Sequence, residues 1–309
     1  MGNWFKTAML LGVMTALIVF IGRLIGGQQG MIFAFILAIG MNFFSYWFSD
    51  KIVLKMYRAR EVTPGENPRI YGIVNQIAQK ANLPMPRVYV IPEQSPNAFA
   101  TGRNPEHAVV AVTEGLLNLM NTDEITGVIS HEMAHIKNRD ILIGSIAATM
   151  AGAIMIIASM ARWTAFLGGR SDNNRNGVGA VGLLIMSILA PLAAMLIQMA
   201  ISRSREYLAD STGASFTGHP EGLAGALEKL GSYSKRIPMH AAGENTAHMF
   251  IVNPLSGRGL SSLFSTHPPL EDRIARLTGI MNFIEATDNS PYKKTGKEDA
   301  EETWKRLMR

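Results

Sequence analysis

Four stretches of the chain carry almost no charge, residues 7–22, 31–48, 141–161 and 178–201. A helix needs about 20 apolar residues to cross the hydrocarbon core of a bilayer. The last two stretches have that length. The first two reach it with Trp4 and Phe5, or Tyr46 and Trp47, at the interfaces. The pattern predicts four transmembrane helices. The polar remainder forms two pieces, 49–140 and 202–287, and then a charged tail over 288–309.

The first polar piece reads as α+β. Asn67-Pro68 opens a helix on which Ile70, Ile73, Val74 and Ile77 share a face. Residues 87–91 and 108–113, rich in Val and bounded by Pro and Gly, read as short strands. Asn121 with Glu124 three residues on forms a capping box for the helix that follows. In the second piece Pro220 and Pro269 each suit a first helical position. Leu223, Ala226, Leu227 and Leu230 make one apolar stripe; Leu270, Ile274 and Leu277 make another.

The capped helix carries His131-Glu132-Met133-Ala134-His135 directly before the third apolar stretch. Histidines four apart share a helix face, where their imidazoles can hold one Zn²⁺ and Glu132 can reach its water. A catalytic zinc takes three protein ligands and keeps one position open. The chain has no cysteine, so the third must be His, Glu or Asp. Glu206, Asp210, His219, His240, His248 and His267 are the downstream candidates. Glu206 is favoured, because 202–210 can extend the fourth span as rigid helix. Asp210, one turn further, can then accept a hydrogen bond from the second nitrogen of His131 or His135.

Charge orients this arrangement. Of the 29 lysines and arginines, all but Arg23, Arg162, Arg170 and Arg175 fall on the side shared by both polar pieces and both termini. The positive-inside rule makes that side cytosolic. No small-x-small cleavage site follows the first apolar run, so a removed leader is not expected, and Lys6 stands where a myristoylation signal needs Ser or Thr. The net charge of +5, without a basic run interleaved with aromatics, gives no case for nucleic-acid binding.

If a zinc-bound water attacks a carbonyl, the resulting oxyanion needs donors besides the metal, and Arg203, Arg205, Tyr207, His248 and His267 are candidates. His107 and His219 lie in polar, loop-like surroundings and read as surface residues. An extended substrate would add to a sheet edge, at 97–101 or 108–113. Two other classes compete. An intramembrane protease would place its motif inside a span with an acidic ligand in another, yet no acid interrupts the four stretches. A non-catalytic scaffold or transporter would carry polar breaks at mid-membrane, and only Gln198 and small hydroxyls occur there.

Six words are informative together: Asn97-Ala98-Phe99-Ala100-Thr101-Gly102, Val112-Thr113-Glu114-Gly115-Leu116-Leu117, 131–135, 202–210, Phe250-Ile251-Val252-Asn253-Pro254 and Thr266-His267-Pro268-Pro269-Leu270. By them the chain resembles the HtpX-type membrane zinc metalloproteases, relatives of the CAAX prenyl endopeptidases, over about residues 70–280. The resemblance implies a mainly α membrane protein with four transmembrane helices. Its cytosolic α+β zincin-like (gluzincin) domain would be built from two sequence-separated pieces. It implies one Zn²⁺ per chain on His131, His135 and Glu206, with Glu132 as base and Asp210 as the acidic residue one turn after the third ligand. It makes Asn97, Ala98 and Phe99 the preferred substrate strand. The implied substrates are misfolded or damaged membrane proteins of a bacterial-type inner membrane, in stress response and protein quality control.

Overall fold

The computed structural model describes residues 3–152, 154, 203–234, 249–251 and 268–288. The expected span 178–201, most of 153–161, His240, His248, His267 and the tail from 289 lie outside the described residues.

Helix α1 (Asn3–Met56) is helical over 54 residues but is not straight. Asn42 Nδ2 donates to Thr15 Oγ1 at 2.8 Å, although a straight helix would hold these residues roughly 40 Å apart. The chain folds back at a glycine-rich corner. Gly27 takes φ of 58°, and the Gly22 and Gly30 backbones approach so closely that a Cβ on either would strike the other's carbonyl. The limbs of this hairpin are Thr7–Arg23 and Gly27–Met56. The second continues as helix eight residues past the apolar block predicted to end at 48. Among the described residues it is the one helix long and apolar enough to cross a membrane. Its outward side chains are open, with Phe33 70%, Ile36 64% and Phe44 59% exposed. Helix α5 (Ile141–Gly152) packs Ile143, Ile146 and Met150 against Leu10 and Met14 of the first limb.

The segment between these helices in the chain forms a four-stranded sheet in the order β1-β2-β4-β3, made of β1 (Arg60–Glu61), β2 (Arg87–Ile91), β3 (Ala98–Thr101) and β4 (Val109–Thr113). β2 and β4 run parallel, with Tyr89 opposite Ala111; β3 returns antiparallel, with Phe99 opposite Ala111. Strand β4 is buried on both faces because alternate side chains serve two cores. Val110 and Val112 join the core under α2 (Pro68–Ala81), whereas Val109 and Ala111 join Val53 and Leu54 of α1, Tyr57 just beyond it and Ala148 of α5. Asn67 caps α2 by accepting from the Ile70 N–H, as the sequence predicts.

The interior position of β4 corrects one expectation. Residues 108–113 are paired on both sides and offer no edge to a peptide. β3 is the outer strand. Asn97, just before it, donates its N–H to Thr113 Oγ1 at 2.9 Å, and the same hydroxyl caps the short α3 (Glu114–Leu119).

Helix α4 (Thr122–Lys137) runs through the middle of the domain. It starts at the predicted Asn121–Glu124 capping box, and Glu124 also accepts a 2.8 Å bond from Lys229. It packs against α6 (Arg203–Thr217) and α7 (Pro220–Ser234), with α8 (Leu270–Asp288) beyond. The two polar pieces therefore share one core, in which Ile70, Val110 and Val128 meet Leu223, Leu227 and Leu277. Glycines set the closeness of the helices. A Cβ on Gly127 would enter the α7 backbone at Gly222–Leu223, and one on Gly213 of α6 would come within 2.9 Å of His131 N. Pro269 differs from the prediction by one residue. Its carbonyl takes the first helical bond of α8 from Arg273 N, so it caps the helix.

Candidate metal centre

His131 and His135, one turn apart on α4, turn their Nε2 atoms toward each other at 3.2 Å. Glu206 arrives from the first turn of α6, with Oε2 at 3.7 Å from His131 Nε2 and Oε1 at 3.6 Å from His135 Nε2. All three donor atoms lie within 4.8 Å of one another. Ligands about 2.0–2.1 Å from a tetrahedral zinc stand about 3.3 Å apart, so two imidazole nitrogens and a carboxylate at this spacing suit that ion. The close approach at Gly213 makes this reach possible. Glu206, Asp210 and Gly213 fall at i, i+4 and i+7, and this face of α6 lies on α4.

Each histidine is held from behind through Nδ1. Asp210 Oδ1 lies 2.9 Å from His131 Nδ1, and Asp140 Oδ2 lies 3.2 Å from His135 Nδ1. These contacts select the tautomer with Nε2 free to ligate. Asp140 reaches His135 because α4 ends in a tight turn. The Asp140 N–H bonds the His135 carbonyl and the Arg139 N–H bonds the Ile136 carbonyl, while Arg139 takes the left-handed φ of 57°. Behind Asp210 stands Arg273 of α8, which is wholly buried. Its Nε and Nη2 grip the two Asp210 oxygens at 2.8 and 2.7 Å, and its Nη1 donates to the Ile251 carbonyl at 3.0 Å. Nη2 also rests against the His131 ring, 3.4 Å from Nδ1. Nη1 is 3.7 Å from Glu206 Oε2.

The electrostatics follow from burial and these partners. Burial pushes the His131 imidazole down, outweighing the upward pull of Asp210. Burial raises the Glu132 carboxyl to about 7, against the lowering charge of His135. Burial also acts to lower His135, but the Asp140 bond and the charges of Glu206, Glu132 and Asp140 outweigh it and hold the ring at about 9. Burial acts to raise Asp210, and Arg273 with the two hydrogen bonds brings it below its ordinary range. A cation at the three donors would replace the proton on His135.

Glu132 faces the outer strand, and the Ala100 N–H opposite lowers its carboxyl. One residue away, the Ala98 carbonyl accepts from Ile251 N at 3.3 Å. The side chains of Asn97, Ala98 and Phe99 are buried, and Phe99 joins Tyr57 and Phe250 in a three-ring cluster. Strand β3 is buried along its length, and Ala100 is its most open residue at 9%.

Other candidates are placed elsewhere. Arg203 is exposed on α6. Arg205 turns behind the site, 4.0 Å from Asp140. Tyr207 lies under the Arg276 guanidinium at 3.9 Å. His219 pairs with Glu221 at 2.9 Å in the open, which removes it as a ligand, and exposed His107 bonds Asn104. Two residues escaped the sequence reading, Asp140 and Arg273. Arg273 carried a signal, because it stands among Leu270, Ile274 and Leu277 on the stripe that faces the core. A charge on a buried stripe needs a buried partner.

The model of peptidase family M48 matches residues 64–281. A protease HtpX homolog of Desulfatibacillum aliphaticivorans is 62% identical over 310 residues, covering 99% of this chain and 100% of the relative. One of Desulforapulum autotrophicum is 62% identical over 309 residues, with the same coverage. A crystal structure of S. mikatae Ste24p aligns at a TM-score of 0.47 and 19% identity over 89% of this chain; the chain spans 65% of that one.

Proposed function

The chain belongs to peptidase family M48 and is a membrane metalloprotease; from that premise we propose that it is a zinc endopeptidase working at the cytosolic face of a bacterial-type inner membrane. The observation that carries the reading is the convergence of His131 Nε2, His135 Nε2 and a Glu206 oxygen within bonding range of one ion, with Glu132 one residue along the same helix. His131, His135 and Glu206 would hold the zinc. When bound, the ion supplies a Lewis acid that acidifies water and polarises the scissile carbonyl. Glu132 accepts the proton of the attacking water and passes it to the leaving amine. Asp210 and Asp140 keep the two imidazoles in the ligating tautomer.

The substrate is an extended polypeptide paired with the backbone of β3, which would take the place of the Ile251 N–H on the Ala98 carbonyl. Backbone pairing there holds a chain without demanding a sequence, as clearance of misfolded or damaged membrane proteins requires. The four apolar stretches, with two on either side of 49–140, anchor the site at the bilayer surface, and the lysine and arginine distribution supports the cytosolic side.

Casein cleavage by the detergent-purified full chain, stripped of metal and then given zinc, tests the proposal. We expect one zinc per chain and zinc-dependent cleavage. Glu132→Gln should keep the zinc and lose activity by about 10²–10⁴-fold. A Glu132→Gln protein cleaving at the wild-type rate would overturn the assignment.

A further inference from the structure

Where the second limb of α1 leaves its apolar stretch, the helix and the β3–β4 connection enclose an open cavity of about 590 Å³, within the size range of small-molecule sites. Phe43, Trp47 and Phe48 of α1 make its apolar floor. Its rim is cationic and comes from two parts of the chain. Lys51 sits over the Phe48 ring at 5.5 Å, and the Arg103 guanidinium sits over the Trp47 ring at 4.8 Å. A guanidinium stacked on a ring keeps its N–H edge available for an anion. Asp50, the carboxylate at the rim, is engaged by Arg87 at 3.2 Å. Among the described residues no carboxylate lies within 4.0 Å of Lys51 or Arg103. The His107 ring adds a further polar group, held by Asn104 at 2.7 Å.

We propose that this cavity binds the phosphodiester headgroup of an anionic bilayer phospholipid, with Lys51 and Arg103 on the phosphate and Phe43, Trp47 and Phe48 beside the first acyl carbons. Charge complementarity and continuity with the exposed apolar side of α1 (Phe33, Ile36, Phe44) select this occupant over a soluble one. A lone interfacial lysine would only extend toward water. Here a second cation from the protease domain meets it across an aromatic floor, so the lipid would tie that domain to the membrane helix near the sheet. The proposal rests on the membrane reading of α1.

The test compares the full chain with Lys51→Gln/Arg103→Gln in nanodiscs of mixed dioleoyl phosphatidylglycerol and phosphatidylcholine. Native mass spectrometry after release counts the retained lipids. The wild type should keep about one phosphatidylglycerol per chain and no matching phosphatidylcholine. The double variant should lose it by roughly tenfold or more, each cation contributing on the usual scale of basic residues at anionic surfaces. Lys51→Arg/Arg103→Lys should retain it, and casein cleavage by all three proteins should report an intact fold. Equal retention by wild type and the glutamine variant, or equal retention of the two lipids, would overturn the proposal. Displacement of the lipid by millimolar inorganic phosphate would overturn it in favour of a free-phosphate site. Extraction of wild-type protein from vesicles by alkaline carbonate would instead remove the membrane reading beneath it.

Discussion

Two regions of this protein invert the ordinary rule of protein interiors in opposite ways. Around α4, α6 and α8 the fold buries charge: His131, Glu132, Glu206, Asp210 and Arg273 are each less than a tenth exposed. Along the second limb of α1 it exposes hydrocarbon, with Phe33, Ile36, Phe43 and Phe44 more than half open. Neither arrangement would be stable without a partner. Buried charges are held by opposite charges and hydrogen bonds a few tenths of an ångström from ideal. On the membrane reading of α1, lipid would match the exposed apolar side. The first region is specified by pairwise geometry and should be brittle. The second is specified by average composition and should be tolerant.

The largest contrast is expected at Asp210. Asp210→Ala leaves Arg273 wholly buried without its carboxylate, and breaking such a pair typically costs about 3–5 kcal/mol. Denaturant unfolding of metal-free protein checks this. The double change Asp210→Ala/Arg273→Met should cost less than Asp210→Ala alone; a strictly additive pair would mean that the two do not act as a unit. Next comes Gly213→Val, which pushes α6 away from His131. We expect a loss of about 1–3 kcal/mol in stability together with weaker zinc binding, because Glu206 and Asp210 move with the helix. Unchanged zinc affinity would show that the helix spacing does not place the third ligand.

A smaller effect comes from His135, whose ring is held at about 9 in the metal-free protein. A proton there competes with the metal, so zinc affinity should rise by about tenfold per pH unit from 7 and level off near 9. Competition with a chelating dye at several pH values reads this, and a flat profile would contradict it. The sign for stability is the reverse. Because the folded value lies above the ordinary 6.5, the proton stabilises metal-free protein fully below 6.5, and this support is lost as pH rises through about 9. The smallest effect is expected at Phe33→Ala in the hairpin, within about 0.5 kcal/mol for detergent-solubilised protein. A larger loss would mean that this face packs against protein.

Much of the site was legible because it is local. The histidine spacing, the Asn121–Glu124 capping box and the Asn67 cap depend on residues within one turn of each other, and each appears where the periodicity places it. Glu206 was only one of six candidates by residue type; the helical continuation over 202–210 and then the resemblance favoured it, and the crossing of α6 over α4 brings it to the histidines. Asp140 was hidden by being next to an apolar run. Its role arises from the reversal at Arg139.

The sequence alone determined α2, β2, the motif helix, the charge asymmetry and the absence of thiolate ligands, because these follow from composition and from contacts a few residues apart. The tertiary structure alone decided that β3 and not β4 lies at the edge. It also decided that Arg273 locks Asp210 behind His131. Those features join residues up to 142 positions apart. Such pairs are selected by how whole surfaces pack, which no local pattern records.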